Sequence, residues 1–213
     1  MKKTHSIAAL AATFFTAGLM TGSAAAASIL SFNEAGANFF TSADNVDGWS
    51  FTVGSSDILV TSVGWFDEGG DGLTDSHPVS IWATTDPSTA IVTGIVQAGL
   101  SSPLDGQFRF SPTAATILSA STTYHIGGYS PTASDRVVDT VIGAPVVSDL
   151  ITYGEGFGAF TTGGLLYPVS AFPAFSPGFF GPSFEATVVP EPSSALLFGF
   201  GLLGFLMRRR KIK

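Results

Sequence analysis

What most restricts the fold of this chain is the shortness of every apolar pattern in its middle. From residue 28 to residue 188 hydrophobic and polar residues alternate with a period of two for a few positions, then stop at a turn cluster. Trp49-Ser50-Phe51-Thr52-Val53 shows the alternation most cleanly. Ile58 to Phe66 is rich in β-branched and aromatic residues, and Val79 to Ala83, Ala90 to Val96, Gln107 to Phe110, Thr123 to Tyr129 and Ser183 to Val188 follow in the same style. Between them stand Gly54-Ser55-Ser56-Asp57, Asp67 to Asp75, Thr85-Asp86-Pro87-Ser88 and Ser101 to Gly106, all turn-forming in composition. No run of ten or more residues holds a helical period. Many short strands with frequent turns predict an all-β fold, an antiparallel β-sandwich of jelly-roll-like type.

From about Tyr153 to Phe184 the character changes. Phenylalanines at 157, 160, 172, 175, 179, 180 and 184 stand among glycines and prolines. Two readings stay open for this stretch. It is a loop-rich wall that plugs the sandwich with aromatic rings, or it is an aromatic surface for sugar rings or another protein.

The two ends are different in kind. Met1-Lys2-Lys3, an apolar stretch from about Ile7 to Met20 and Ala24 to Ala27 have the order of a secretory signal peptide, so residues 1–27 are expected to be removed after Ala26 or Ala27. Residues 189–213 read Val189-Pro190-Glu191-Pro192, then a nearly unbroken apolar run from Ser193 to Met207, then Arg208-Arg209-Arg210-Lys211-Ile212-Lys213. The run predicts one short membrane-spanning helix. At about 1.5 Å per residue it covers roughly 22 Å, less than a ~30 Å hydrocarbon core, and the long basic side chains can reach over part of the difference. The basic cluster is expected to stay cytoplasmic.

The Val-Pro-Glu-Pro motif, the glycine-bearing apolar span and the final basic cluster, in that order, resemble the PEP-CTERM sorting signal. Its sorting residues here are Pro190, Glu191, Pro192, Arg208, Arg209 and Arg210. The family is associated with Gram-negative bacteria that make exopolysaccharide. In them a membrane-embedded cysteine protease, exosortase, is thought to recognise and cleave the signal. The resemblance implies exosortase as a partner, transient anchoring in the inner membrane through the C-terminal helix, and a final place at the cell surface or outside the cell. Two prolines keep the chain extended ahead of the span, a form a protease can engage.

Charge agrees with an exported body between anchored ends. The whole chain carries −7, but of its nine basic residues only Arg109 and Arg136 lie in the middle. Against them stand 15 acidic residues between Ser28 and Val189, a net of −13. Such a domain repels nucleic acid and anionic lipid. The chain has no cysteine, so it makes no disulfide.

A second resemblance lies inside this middle region, 28–188. Gly48 to Val53, Val63-Gly64-Trp65-Phe66-Asp67, and Gly70-Asp71-Gly72-Leu73-Thr74-Asp75-Ser76-His77-Pro78-Val79-Ser80-Ile81-Trp82 resemble an uncharacterised bacterial β-domain family. Its members share a G-D-G-L-x-x-S-H-x-V-x-I-W core and often carry PEP-CTERM tails. Tyr124 to Tyr129 and Phe179 to Phe184 are similar to its later strands. The resemblance implies a β fold and no known activity.

Candidate chemistry is sparse. Asp67, Glu68, Asp71 and Asp75 place four carboxylates within nine residues, a candidate Ca²⁺ site, although the spacing is not that of an EF-hand. The competing reading is a tight turn in which Ser76 and His77 satisfy loop backbone groups. Trp49, Trp65 and Trp82 are the candidate ligand-binding aromatics for an exopolysaccharide. His125 is expected near solvent, because alternation turns it away from Tyr124 and Ile126. There is no Gly-x-Ser-x-Gly elbow and no His-Glu-x-x-His, and two histidines are few for a catalytic zinc. The expectation is a non-enzymatic surface or extracellular-matrix protein of the biofilm type, with a carbohydrate-binding module as the alternative and a hydrolase behind it. No cofactor is expected beyond the candidate Ca²⁺.

Overall fold

The computed structural model describes residues 25–32, 38–41, 43–140, 145–161, 163–171 and 178–190. The expected signal peptide up to residue 24 and the expected sorting helix lie outside the described residues. Fifteen strands follow one another: β1 Ala27–Ser28, β2 Leu30–Ser31, β3 Asn38–Phe40, β4 Asn45–Val53, β5 Ile58–Phe66, β6 His77–Ala83, β7 Ala90–Val96, β8 Leu104–Asp105, β9 Phe108–Leu118, β10 Thr123–Ser130, β11 Val137–Thr140, β12 Val146–Val147, β13 Ile151–Phe160, β14 Ser170–Ala171 and β15 Pro182–Val188. The described residues contain no α-helix, only a 3-10 turn at Glu68–Gly70.

All strand pairs are antiparallel. A five-stranded sheet has the order β1-β15-β5-β9-β8, and a six-stranded sheet the order β14-β13-β4-β10-β6-β7. Two small ladders, β11-β3 and β12-β2, complete the set. From β4 the chain passes to β5 in the other sheet, returns to β6, and crosses again between β7 and β9, between β9 and β10, and between β13 and β15. The architecture is therefore the expected β-sandwich.

Alternation explains what fills it. Trp49, Phe51 and Val53 of β4, Tyr124 and Ile126 of β10, and Val79 and Ile81 of β6 are buried on one face of the larger sheet. Opposite them stand Ile58, Val60, Val63 and Trp65 of β5 with Phe184 and Ala186 of β15. The inward set of β5 switches from even to odd numbers because the register slips between Val60 and Ser62. That slip is a β-bulge, and Pro112 sits at it on β9, one of the few places a ladder tolerates a residue with no N–H. Beyond it, Thr113 donates its hydroxyl to the Thr93 carbonyl of β7 (2.8 Å) and draws the two sheets together. Phe51 and Phe184 meet across the core with ring centroids 5.0 Å apart, and Tyr124 packs on Phe51 at 5.7 Å. Each such side chain contributes about 1.5–3 kcal/mol by leaving water.

The smaller sheet is covered on both faces. Trp65 and Phe66 are adjacent, point to opposite sides, and are both fully buried. Phe66 packs with Phe32 (5.4 Å), Phe39 (6.1 Å) and Phe108 (6.0 Å), and Phe180 reaches Phe32 at 6.2 Å. Phe179, Phe180 and Phe184 are thus part of the packed interior, whereas Phe160 is 84% exposed. Phe172 and Phe175 lie outside the described residues.

Candidate functional site

The acidic segment after β5 lines a polar cleft. Its backbone turns through positive φ at Gly69 (78°), Gly70 (72°) and Gly72 (110°), which side chains disfavour. Asp67 is buried and its Oδ2 accepts from Arg109 Nε at 2.6 Å. The same carboxylate accepts the Gly72 amide (3.1 Å). Arg109 uses its remaining nitrogens on the Ser102 and Gly70 carbonyls, each at 2.9 Å. The guanidinium fork thereby ties β9, the 3-10 turn and the loop before β8 together.

The other three carboxylates diverge. Glu68 accepts from Arg136 at 3.2 Å, on the surface, and Arg136 also lies 5.9 Å from the ring centre of Phe39. Asp75 accepts the Thr132 hydroxyl. Asp71 is exposed. Both arginines of the middle region are thus committed to this loop, and among the described residues no group of three or more His, Cys, Asp or Glu is placed to hold a metal ion. Of the four carboxylates of the candidate Ca²⁺ site, Asp67, Glu68 and Asp75 are thus engaged by other partners and Asp71 is exposed. Clustering in sequence put the four acids close, but Arg109 of β9 and Arg136 of the loop before β11 each take one of them. A polar cleft of about 240 Å³ remains between Asp67, Glu68, Asp71, Thr74, Asp135 and Arg136.

Beside this cleft, His77 opens β6 with no exposure to solvent. It does not serve loop backbone groups of its own turn, as expected, but reaches across the fold. Its ring stacks on Trp65 with centroids 4.0 Å apart and planes 2° from parallel. Nδ1 donates to the Tyr129 carbonyl (3.1 Å), and Nε2 lies 2.8 Å from Asp135 Oδ2. Asp135 also accepts the amides of Thr74 and Asp75, each at 2.8 Å. Burial works against its ionised form, but the bonds from His77 and the two amides outweigh that and hold the carboxyl below its ordinary range. An oxygen thus faces each ring nitrogen of His77. Asp135 carried no signal in the sequence.

The residues of the second resemblance acquire structural roles. Leu73 is buried and bridges to Gly99, Ser76 Oγ accepts the Ala98 amide (3.1 Å), and Val79 and Ile81 are core.

The three tryptophans do not form an exposed platform. Trp49 and Trp65 are fully buried and Trp82 is 5% exposed. Trp49 Nε1 donates to the Pro182 carbonyl (2.9 Å). Trp82 lies on the outer face of the larger sheet, but Tyr167 covers it edge-on at 5.8 Å. Of the candidate ligand-binding residues Trp49, Trp65 and Trp82, two belong to the interior, and the third is roofed by the chain leading to β14. His125 shares that roof. It is buried rather than near solvent, between Phe157 (4.0 Å) and Tyr167 (5.0 Å). Burial lowers its tendency to take a proton, against the Pro168 backbone and the Glu155 charge.

The C-terminal motif joins the sandwich without an intervening linker. β15 lies between β1 and β5 and ends at Val188, and the Val189 amide still bonds the Asp57 carbonyl (2.9 Å). Pro190 follows, exposed. Glu191, Pro192, Arg208, Arg209 and Arg210 lie outside the described residues. Among those described, no helix is long and apolar enough to cross a membrane.

Residues 188–211 match the family described as the PEP-CTERM protein-sorting motif. No curated protein and no solved structure matches the chain. The match begins at the last residue of β15, so the folded body and the sorting motif abut. It marks the chain as an exported, envelope-associated substrate of exosortase sorting.

Proposed function

We propose that this protein is a non-catalytic component of the bacterial surface or of its exopolysaccharide matrix, held for a time in the inner membrane by its C-terminal segment and released by exosortase. The observation that carries the reading is the junction at Val188 to Pro190. The ladder to Asp57 ends at Val189, and Pro190, which has no N–H and a fixed φ, cannot extend it. The chain therefore leaves the ladder at Pro190, the first residue of the Pro-Glu-Pro motif, ahead of the segment a membrane protease would take.

Two further features support a binding or structural role over catalysis. The His77 nitrogens are both engaged, and the arginines of the body are spent on internal pairs. A body of net charge −13 suits a hydrated, cation-rich exterior.

The test is a chain ending at Val189, compared with the full-length protein in the native host. The truncated chain is expected outside the inner membrane and never held by it, while the full-length chain is first membrane-bound and then released. If the truncated chain fractionates with membranes as the full-length one does, the C-terminal anchor is not what holds it.

A further inference from the structure

Asn45 and Asp47 stand on the same face of β4 as Trp49, Phe51 and Val53, so their side chains enter the sandwich. They are 4% and 1% exposed. The cross-strand neighbours of Asp47 are Gly128 of β10 and Gly158 of β13, neither of which offers a side chain. Over Gly128 lies the Trp65 ring, which occupies the place a β-carbon would need, at 2.3 Å. Asn45 is paired with Ser130.

Among the described residues no positive charge accompanies this carboxyl. On β10, His125 and Tyr129 alternate to the opposite face, and the Tyr129 hydroxyl is taken by Asp44. On β13, Glu155 is exposed and Tyr153 is an uncharged phenol. On β15, Glu185 accepts the Ser62 hydroxyl. β5 brings no titratable group to the core. On β6, His77 is bound to Asp135 beyond Trp65.

The hydrogen bonds leave a deficit of one donor. Asn45 Nδ2 donates to Asp47 Oδ1 at 2.6 Å. Asn45 Oδ1, Asp47 Oδ2 and Ser130 Oγ are buried with no partner among the described residues. An ionised Asp47 adds acceptors only, so the single Ser130 hydroxyl would face two orphaned oxygens and an uncompensated charge. A neutral carboxyl brings its own donor on Oδ2, which the orphaned Asn45 Oδ1 can accept.

We infer that Asp47 is carried as a neutral carboxylic acid that donates back to Asn45, and that this buried acid–amide pair, with Ser130 beside it, is a proton-dependent latch on one end of the six-stranded sheet. Burial is the larger influence and the Asn45 amide the smaller, opposing one; together they push the carboxyl up to about 7. Because the folded value lies above the unfolded one, the stabilisation is complete below the ordinary carboxylate range and is lost as pH rises through neutrality. An exported protein meets such changes of pH in its surroundings.

The experiment uses the full-length chain in nonionic detergent, unfolded by heat between about pH 5 and pH 9, beside Asp47→Asn, whose amide can donate where the acid donates. The wild-type midpoint is expected to fall by roughly 5–10 °C from about pH 5 to pH 7.5 and to level off above that, and the variant to lose little. A wild-type midpoint that is flat across that range, or a variant that falls equally, overturns the inference. Carbon NMR of aspartate-labelled wild type needs no variant: one carboxyl is expected to titrate near neutrality, and none doing so also overturns it. Sodium or calcium at millimolar concentration, added near pH 8.5, separates the alternative of a bound cation. If the midpoint recovers fully in wild type and the carboxyl is already ionised at pH 6, the trio is a cation site and the latch is wrong.

Discussion

Ala27 is the ladder partner of Ala186, and through it the first strand of the ectodomain lies against the last. The pairing places the exit to the signal segment and the exit to the sorting motif on one edge of one sheet. It also limits where processing can occur. Ile29 and Leu30 are 1% exposed, and the Ile29 amide bonds the Phe184 carbonyl at 3.0 Å. N-terminal sequencing of the exported protein is therefore expected to begin at Ala27 or Ser28. A mature chain beginning after Leu30 would remove a buried pair worth about 3–6 kcal/mol of apolar burial and contradict the arrangement.

His77, Asp135 and Trp65 form the next testable unit. Replacing His77 by Ala leaves the Asp135 carboxylate beside a cavity with one partner gone, and a loss of about 3 kcal/mol is expected in denaturant unfolding. Asp135→Asn tests the sign with pH. The Asp135 carboxyl is held below its ordinary value, so it stabilises the fold above the unfolded carboxylate range and that contribution is lost as pH falls through the folded value. Below about pH 4 the wild type should lose stability faster than Asp135→Asn. Parallel acid limbs for the two proteins would remove Asp135 from the account.

The Asp67–Arg109 pair makes a different demand, because both groups are buried. Arg109→Met strands the Asp67 carboxylate and is expected to cost about 3–5 kcal/mol, while the double change of Arg109→Met with Asp67→Leu recovers much of that. Calcium enters the same experiment. With Asp67 and Glu68 held by arginines and Asp75 by Thr132, millimolar Ca²⁺ and chelator should give the same melting midpoint. A rise with Ca²⁺ that Asp71→Ala abolishes would reinstate a metal at the loop.

The strands were legible where side chains alternate and illegible where glycine carries the sheet. β5 and β7 follow the β-branched runs from end to end, and β4 and β10 show their alternation openly. β13 was missed because Gly154, Gly156 and Gly158 erase the pattern, although it pairs with β4 along most of its length. In β5 the bulge before Ser62 changes which residues face inward, and nothing local announces it. The site residues divide the same way. Asp47 was within reach, since extending the Trp49, Phe51, Val53 series two residues back puts a carboxyl in the core. Asp135 was not, because it meets His77 only through the fold, from a loop 58 residues further along the chain. The acidic loop misled for the converse reason: neighbours in sequence are held apart by partners from elsewhere.

The tryptophans supply the last prediction. Trp49 and Trp65 are enclosed by aromatic rings and by His77, and Trp82 is sealed by Tyr167. Their emission should therefore be that of indoles in apolar surroundings, resist quenching by acrylamide, and stay unchanged when exopolysaccharide fractions are added. Tyr167→Ala is expected to expose one indole of the three without unfolding the protein, because Tyr167 is only half-buried and lies on the outer face. Quenching should then rise by about a third of the total while the melting midpoint drops by a few degrees. If polysaccharide shifts the emission of the wild type, and Tyr167→Ala strengthens the effect, then Trp82 is a gated sugar contact and the roof over it opens in solution.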